Sequence, residues 1–405
     1  MSADVASLPS LYKTLYPDDA VLDLSYDGRV LWAMLEKKTD FYGSAEQVPL
    51  IYAPPGGRSA SFTTAQTHQS REVQDASFLV TRAKDHQVIL IDGESMEASE
   101  NKEGAFVDIF EAHMDSGINN LSRTLNSDLY RSGSGSRGRI LSGQGTPTIT
   151  LTDARDALRF EVGMSVRVGP NDSSSGLRTG PAVITAISRR AGTLTTSGNW
   201  STVITGAAAN DYIFADGDAS AKIKGLDFYI PSTDPTGGDN AFGLDRSVDV
   251  DRLAGIRSGD LSALPIEEAL LQLNDEIWTY GEGTVDVNLM QSLRMTDLEK
   301  SLGARVQYVD TKFGNVGFTG IKVNHAGGVS TVYGDRDCQY TALYGLTSKV
   351  WRFHSLKMAP RPLEYKGINK NGLNIDQNSD GIVIRLGYRG NLVCRAPGFN
   401  GRATI

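Results

Sequence analysis

The chain has 405 residues, 40 of them Lys or Arg and 48 Asp or Glu, for a net charge of −8 at pH 7. That length allows two to four domains at about 100–200 residues each, and an apolar content of 40% with 22% charged residues excludes a disordered or fibrous chain. The acidic balance argues against a dedicated nucleic-acid binder, which carries a basic stripe. No apolar run reaches 18 residues, and Met1-Ser2-Ala3-Asp4 lacks the basic and apolar regions of a signal peptide. A protein made and kept in a cytoplasm is therefore expected. Cys338 and Cys394 lie far apart, without CxxC spacing, and read as buried free thiols.

Residues 1–45 are mixed; Val21–Leu35 is apolar around Asp27-Gly28, with one short helix expected near Val30–Lys37. Val48-Pro49-Leu50-Ile51-Tyr52 reads as a strand running into the turn signal Pro54-Pro55-Gly56-Gly57. A polar stretch, Ser59 to Asp75, precedes two more strand-like runs, Phe78-Leu79-Val80 and Val88-Ile89-Leu90-Ile91. The result is a long β-loop with little apolar content at its tip, expected to flap or to lie on a neighbour. Next, Phe106, Phe110, Met114, Ile118, Leu121, Leu125 and Leu129 recur at intervals of three or four. They predict a helix over Lys102–Arg131, roughly 45 Å long at 1.5 Å per residue. Asn101 is its expected N-cap and Gly133 its stop.

The run Arg131-Ser-Gly-Ser-Gly-Ser-Arg-Gly138 follows a helix and precedes a strand, the reverse of a phosphate-binding loop, so it reads as a linker. Residues 145–217 are β in texture: Ile149 and Leu151 alternate with threonines, and Phe160, Val162, Met164, Val166 and Val168 alternate without a break. This block, without an evident helix, is expected to be an inserted small β-domain. Helical period returns in Ile266, Ala269, Leu270, Leu273 and Ile277, with Pro265 in the first turn and Ser262 as a nearby cap. A second helix is expected to carry Leu289, Leu293, Leu298 and Leu302 up to Gly303. Strands then follow at Phe318–Val323 and Val329–Tyr333, joined at His325-Ala326-Gly327-Gly328, and at Val350–Phe353. Ile382, Ile384, Leu386 and Tyr388 alternate, with a turn expected at Gly390-Asn391 and a return through Cys394. Segregated strands and helices make the fold class α+β.

Chemical motifs are mostly missing. There is no P-loop, GxSxG elbow or HExxH, and His68, His86, His113, His325 and His354 form no ligand pair. His113, beside the helix stripe, reads as packed or capped rather than catalytic. Asp376-Gln-Asn378-Ser-Asp380-Gly381 matches half of a calcium loop, but its twelfth position is Gly387 instead of Glu, so a solvated turn is the better reading. The expectation is a structural protein with no catalytic residue, no cofactor and no metal.

The order of elements resembles the HK97-fold major capsid proteins of tailed bacteriophages. Phe242-Gly-Leu-Asp-Arg246, Arg252-Leu-Ala-Gly255 and Asn391-Leu-Val-Cys-Arg-Ala-Pro397 look like a subgroup of these coats. The resemblance implies an HK97-like capsid fold with an inserted all-β domain. Its parts would be an N-terminal arm (1–45), an E-loop with flanking peripheral strands (46–98), and a spine helix with linker (99–144). The insert (145–217), an axial domain (218–345) and returning peripheral and C-terminal strands (346–405) would follow. It implies self-assembly through hexamers and pentamers into an icosahedral shell around double-stranded DNA, in the virion and, during assembly, in the host cytoplasm. Portal and scaffolding proteins would be partners, a decoration protein a possible one on the insert, DNA a partner by proximity alone, and no membrane is involved. Some members of the family join subunits through an E-loop lysine; between Ser44 and Arg82 this chain has none, offering Arg58 and Arg71 instead. A non-covalent shell is expected, with Pro54, Pro55, Gly56, Gly57, Arg58 and Arg71 as candidate intersubunit contacts. The few residues ahead of the E-loop imply a separate scaffolding protein, or none. An encapsulin-type compartment is the alternative within the fold, and a phage tail or carbohydrate-active protein the alternative outside it.

Overall fold

A computed structural model describes residues 29–53, 58–67, 74–92, 103–303, 308–313, 316–364, 373–375 and 381–405. They form two compact units, one of residues 29–130 with Leu226–Ile405 and one of Arg131–Gly225.

The first unit opens with α1 (Val30–Met34), whose Val30, Leu31, Trp32 and Ala33 are buried. The helix expected to reach Lys37 stops short, and Glu36–Lys38 form β1. Lys37 explains the stop: its Nζ donates to the Trp32 carbonyl at 2.5 Å and stands 4.7 Å over the Trp32 ring, satisfying the helix end. Burial of that amine lowers its pKa to about 7. Strand β2 (Ala45–Ala53), the exposed helix α2 (Phe62–Thr67), β3 (Gln74–Thr81) and β4 (Ala83–Asp92) follow. Helix α2 lies in the stretch read from sequence only as polar. Helix α3 (Glu103–Leu129) buries Met114, Ile118, Leu121, Leu125 and Leu129 of the expected stripe; the side chains of Phe106 and Phe110 lie outside the described residues. Asn101, its expected cap, lies outside the described residues, and Gly133 has the left-handed φ of +82° expected of a stop.

The second unit is a closed six-stranded barrel of β5 (Ser136–Ser142), β6 (Thr148–Leu151), β7 (Ser165–Gly169), β8 (Ala182–Ser188), β9 (Thr193–Thr196) and β10 (Tyr212–Ala215). The strands close in the order β10-β5-β6-β9-β8-β7. Its core includes Ile140, Leu151, Phe160, Val168, Ile184, Leu194, Trp200 and Ile213. Three sequence expectations change here. The stretch read as a linker contains the start of β5, which pairs with both β6 and β10. The alternation from Phe160 to Val168 yields a strand only from Ser165, because Gly163 at φ +87° turns the chain. Short helical turns also occur, at Ala154–Arg159 and in α4 (Trp200–Val203), where the Trp200 indole donates to the Pro147 carbonyl at 3.1 Å.

The first unit resumes with α5 (Leu226–Tyr229), α6 (Val250–Ala254), β11 (Ile256–Asp260), α7 (Ile266–Gly281), β12 (Val287–Gln291) and α8 (Ser292–Leu302). Strands β13 (Tyr308–Phe313), β14 (Val316–His325), β15 (Gly328–Asp335), β16 (Ala342–Leu346), β17 (Trp351–Ser355), β18 (Arg361–Pro362), β19 (Leu373–Ile375), β20 (Gly381–Cys394) and β21 (Gly401–Thr404) complete it. One sheet has seven strands in the order β11-β21-β16-β12-β15-β14-β13. Its core joins Leu270, Leu273 and Ile277 of α7 and Leu298 of α8 to Met290, Ile321, Val332 and Leu343 of the strands. Leu289, expected on a helix, stands in β12; the helix begins only after Gln291, whose side chain accepts from the Leu293 amide at 2.7 Å. Pro265 is the N-cap of α7 rather than a residue of its first turn, and Ser262 does not cap it.

The second sheet has six strands, with β1, β17, β20 and β18 in order and β4 and β19 also paired to β20. The expected turn at Gly390-Asn391 is absent. Strand β20 runs straight through it, pairing its first ten residues with β4 and its last five with β17. A change of partner, not of direction, occurs at Gly390. The last strand, expected with the peripheral strands, instead joins the seven-stranded sheet between β11 and β16. Helix α3 packs on the six-stranded sheet at Gly117, where a Cβ would lie 2.5 Å from Ile89 Cδ1.

Candidate functional site

Strands β2 and β3 form a two-stranded antiparallel hairpin with Val48 opposite Phe78 and Glu46 opposite Val80. Period-2 alternation places 46, 48 and 50 on one face with 76, 78 and 80. Val48, Leu50, Phe78 and Val80 on this face are buried. The β-loop was expected to have little apolar content at its tip and to flap or to lie on a neighbour; its root is anchored. It packs on an aromatic cluster of the same unit: Phe78 meets Tyr229 at 5.7 Å and Phe242 at 6.2 Å, Phe228 meets Phe242 at 4.9 Å, and Tyr229 meets Trp351 at 5.5 Å. These are edge-on contacts, the favoured geometry of aromatic pairs.

Polar contacts fix the same root. The Leu79 amide donates to the Phe242 carbonyl at 3.1 Å, and the Tyr229 hydroxyl to the Leu392 carbonyl at 2.8 Å. His354 Nδ1 lies 2.7 Å from Glu46 Oε2, and Asn391 Nδ2 donates to the Thr81 carbonyl at 2.8 Å. Farther out, an Arg252 guanidinium donates to the Tyr52 carbonyl. The opposite face is polar around the exposed Leu79, with Gln47 Nε2 donating to Ser77 Oγ at 3.0 Å. A rooted hairpin with a polar outer face can position a loop, and among the described residues it has no group arranged for bond-making.

Of the candidate contact residues, Pro54, Pro55, Gly56, Gly57 and Arg71 lie outside the described residues; Arg58 is described and exposed. Only Arg58 of the six can therefore be placed. Sequence quoted Phe242 only within a coat-like stretch and His354 only as one of five scattered histidines, and did not single out Glu46 or Tyr229; a spacing of up to 308 residues leaves no local signal of their anchoring role.

Elsewhere, buried ionisable groups are structural. Asp335 accepts from the Tyr130 hydroxyl at 2.8 Å, from Asn126 Nδ2 and from the Leu31 and Asp337 amides, joining α1, the end of α3 and β15. Burial, reinforced by Asp337, raises its carboxyl to about 6. In the barrel, burial similarly raises Asp156 to about 6 despite Arg131 at 3.0 Å and Arg159 at 2.5 Å. Cys338 and Cys394 are buried and free, and burial pushes both thiols up. His113 is exposed, not packed. Among the described residues no group of His, Cys, Asp and Glu could hold a metal ion, and no helix is long and apolar enough to cross a membrane. Asp376, Asn378 and Asp380 of the half-matched calcium loop lie outside them.

Solved structures similar to this chain include the capsid asymmetric unit of cyanophage A-1(L), at 14% identity over 93% of this chain and 91% of that one, with a TM-score of 0.48. The holo-SrpI encapsulin complex of Synechococcus elongatus is 8% identical over 93% and 86%, with a TM-score of 0.46. The capsid of Myoviridae phage XM1 is 10% identical over 93% and 90%, with a TM-score of 0.42. No family model and no curated protein matches the chain.

Proposed function

We propose that this chain is a shell-forming structural protein, the major capsid protein of a tailed bacteriophage, with no catalytic role. The observation that carries the reading is the combination of a 27-residue helix laid on a sheet whose central strand comes from the far end of the chain with a separate two-stranded hairpin that joins no larger sheet among the described residues. In this reading they are the spine, peripheral sheet and E-loop that the sequence resemblance implies. A shell needs many modest contacts per subunit, and symmetry multiplies each of them. A hairpin rooted in its own unit supplies contact area without needing a core at its tip.

In this reading, copies of the chain form hexamers and pentamers of an icosahedral shell around double-stranded DNA. Portal and scaffolding proteins share the assembly, and the barrel of residues 131–225 is the unit that would carry a decoration protein. DNA is enclosed by proximity rather than by specific recognition. The shell forms in the host cytoplasm and ends in the virion. Its subunits are held without covalent links, because no lysine lies between Ser44 and Arg82.

Negative-stain electron microscopy of the protein expressed alone and with neighbouring viral genes tests the reading. Closed shells, sheets or tubes are expected. A homogeneous small oligomer under both conditions sinks it, and purified shells filled with a protein cargo instead of DNA would mark an encapsulin-type compartment. Oligomeric ladders on a denaturing gel would refute the non-covalent part alone.

A further inference from the structure

Two fully buried amides of the first unit are saturated. Asn400 accepts from the Thr347 amide and the Trp351 indole, each at 2.8 Å, and donates to the Ala396 carbonyl at 2.9 Å. Asn126 accepts from the Trp32 amide at 3.3 Å and donates to Asp337 Oδ2 at 2.9 Å. Polar groups removed from water follow this rule almost everywhere.

A cluster between α7 and the seven-stranded sheet departs from it. Asn274 lies in the apolar stripe of α7, among Leu270, Leu273 and Ile277. Facing the helix, Asn288 of β12 stands opposite Val332 of β15 and Gly345 of β16, and alternation puts Ser330 on the same face. Asn274, Asn288 and Ser330 are each 0% exposed, within the core that holds Met290, Val332 and Leu343. Among the described residues, Asn274 Oδ1 and both side-chain polar atoms of Asn288 have no hydrogen-bond partner. Asn274 Nδ2 and Ser330 Oγ stand 3.4 Å apart, beyond the usual range for such a bond. A Cβ on Gly345 would lie 3.2 Å from Asn274 Oδ1 and 3.4 Å from Asn288 Oδ1. Both oxygens therefore converge beside a residue that has no side chain. Two carbonyl oxygens only accept, so neither satisfies the other. A buried group left unpaired costs more than a typical hydrogen bond returns, so this cluster calls for a shared donor. Water is the small molecule with two donors, and internal waters sit where two to four polar groups face one another.

We propose that Asn274, Asn288 and Ser330 hold buried water between α7 and the seven-stranded sheet. One molecule donates a proton to each amide oxygen, and Asn288 Nδ2 is the donor open to a second. The bridge holds in one register of helix on sheet, so it fixes α7 in a way that the apolar stripe alone does not. The inference is independent of the shell-forming reading.

A density map of the full-length chain, from a crystal or from assembled particles, at a resolution that shows ordered water tests the site directly. A peak about 2.7–3.2 Å from both amide oxygens is expected. No peak there, or an Asn288 amide bonded directly to Asn274, overturns the proposal. Urea unfolding of Asn288→Thr and Asn288→Val gives a second reading, because these side chains share a shape and differ by one hydroxyl. The Thr variant keeps a group that can bond the water and should unfold at a higher urea concentration than the Val variant. A Val midpoint equal to or above the Thr midpoint would show the site to be dry and overturn the proposal. If neither variant folds, the map alone decides.

Discussion

His354 Nδ1 and Glu46 Oε2 meet at 2.7 Å although 308 residues separate them in the chain. The imidazole is 2% exposed, and among the described residues its Nε2 has no hydrogen-bond partner. A carboxylate only accepts, so Nδ1 is the donor, and the bond ties β2 at the hairpin root to β17 of the six-stranded sheet. Glu46→Ala strips a buried ring of its partner and should cost about 1–3 kcal/mol. Replacing both residues by Leu should cost less than Glu46→Leu and His354→Leu together. Urea unfolding of the four proteins measures the coupling; strict additivity would show the pair to be incidental.

Phe78 is the apolar counterpart of that bond. It is 1% exposed and touches both Tyr229 and Phe242. Phe78→Ala should destabilise by about 3–5 kcal/mol, as expected for an aromatic side chain lost from a closed core. Phe242→Ala, at a half-buried position, should cost less. The order of the two denaturation midpoints decides whether the hairpin root is part of the core.

Asp335 makes stability depend on pH with a definite sign. Its folded-state carboxyl is raised to about 6 from the ordinary 3.8, first by burial and then by Asp337. A raised acid stabilises fully below about 3.8, and the contribution is lost as pH rises through about 6. The stability of the natural protein relative to Asp335→Asn should therefore be most favourable near pH 4 and shrink by roughly 1–3 kcal/mol by pH 7. Thermal unfolding of both proteins across that range checks it; a difference flat in pH contradicts it. Asp156 predicts the same sign for the barrel.

The two thiols give a probe of opening. Cys338 and Cys394 are buried in the first unit, with their thiolates disfavoured by desolvation. A thiol reagent at pH 8 should modify neither in the native protein and both after denaturation. Stoichiometric modification of the native protein within minutes would show that these sites open.

What sequence determined by itself was whatever depends on periodic local burial. The stripe from Met114 to Leu129 is buried because a 3.6-residue period leaves one face to pack. Alternation likewise marked β14 and β15, and their turn at Ala326-Gly327 is where the hairpin closes. Tertiary structure decided the rest. Leu289 fits a helical stripe equally well but stands in β12, because β15 and β16 supply hydrogen bonds on both its edges. Gly390-Asn391 looks like a turn but stays extended, because β4 gives way to β17 there as partner. Glu46 and His354 carry no signal for each other, since a pair closed over 308 residues is set by the packing of sheets that neither residue specifies.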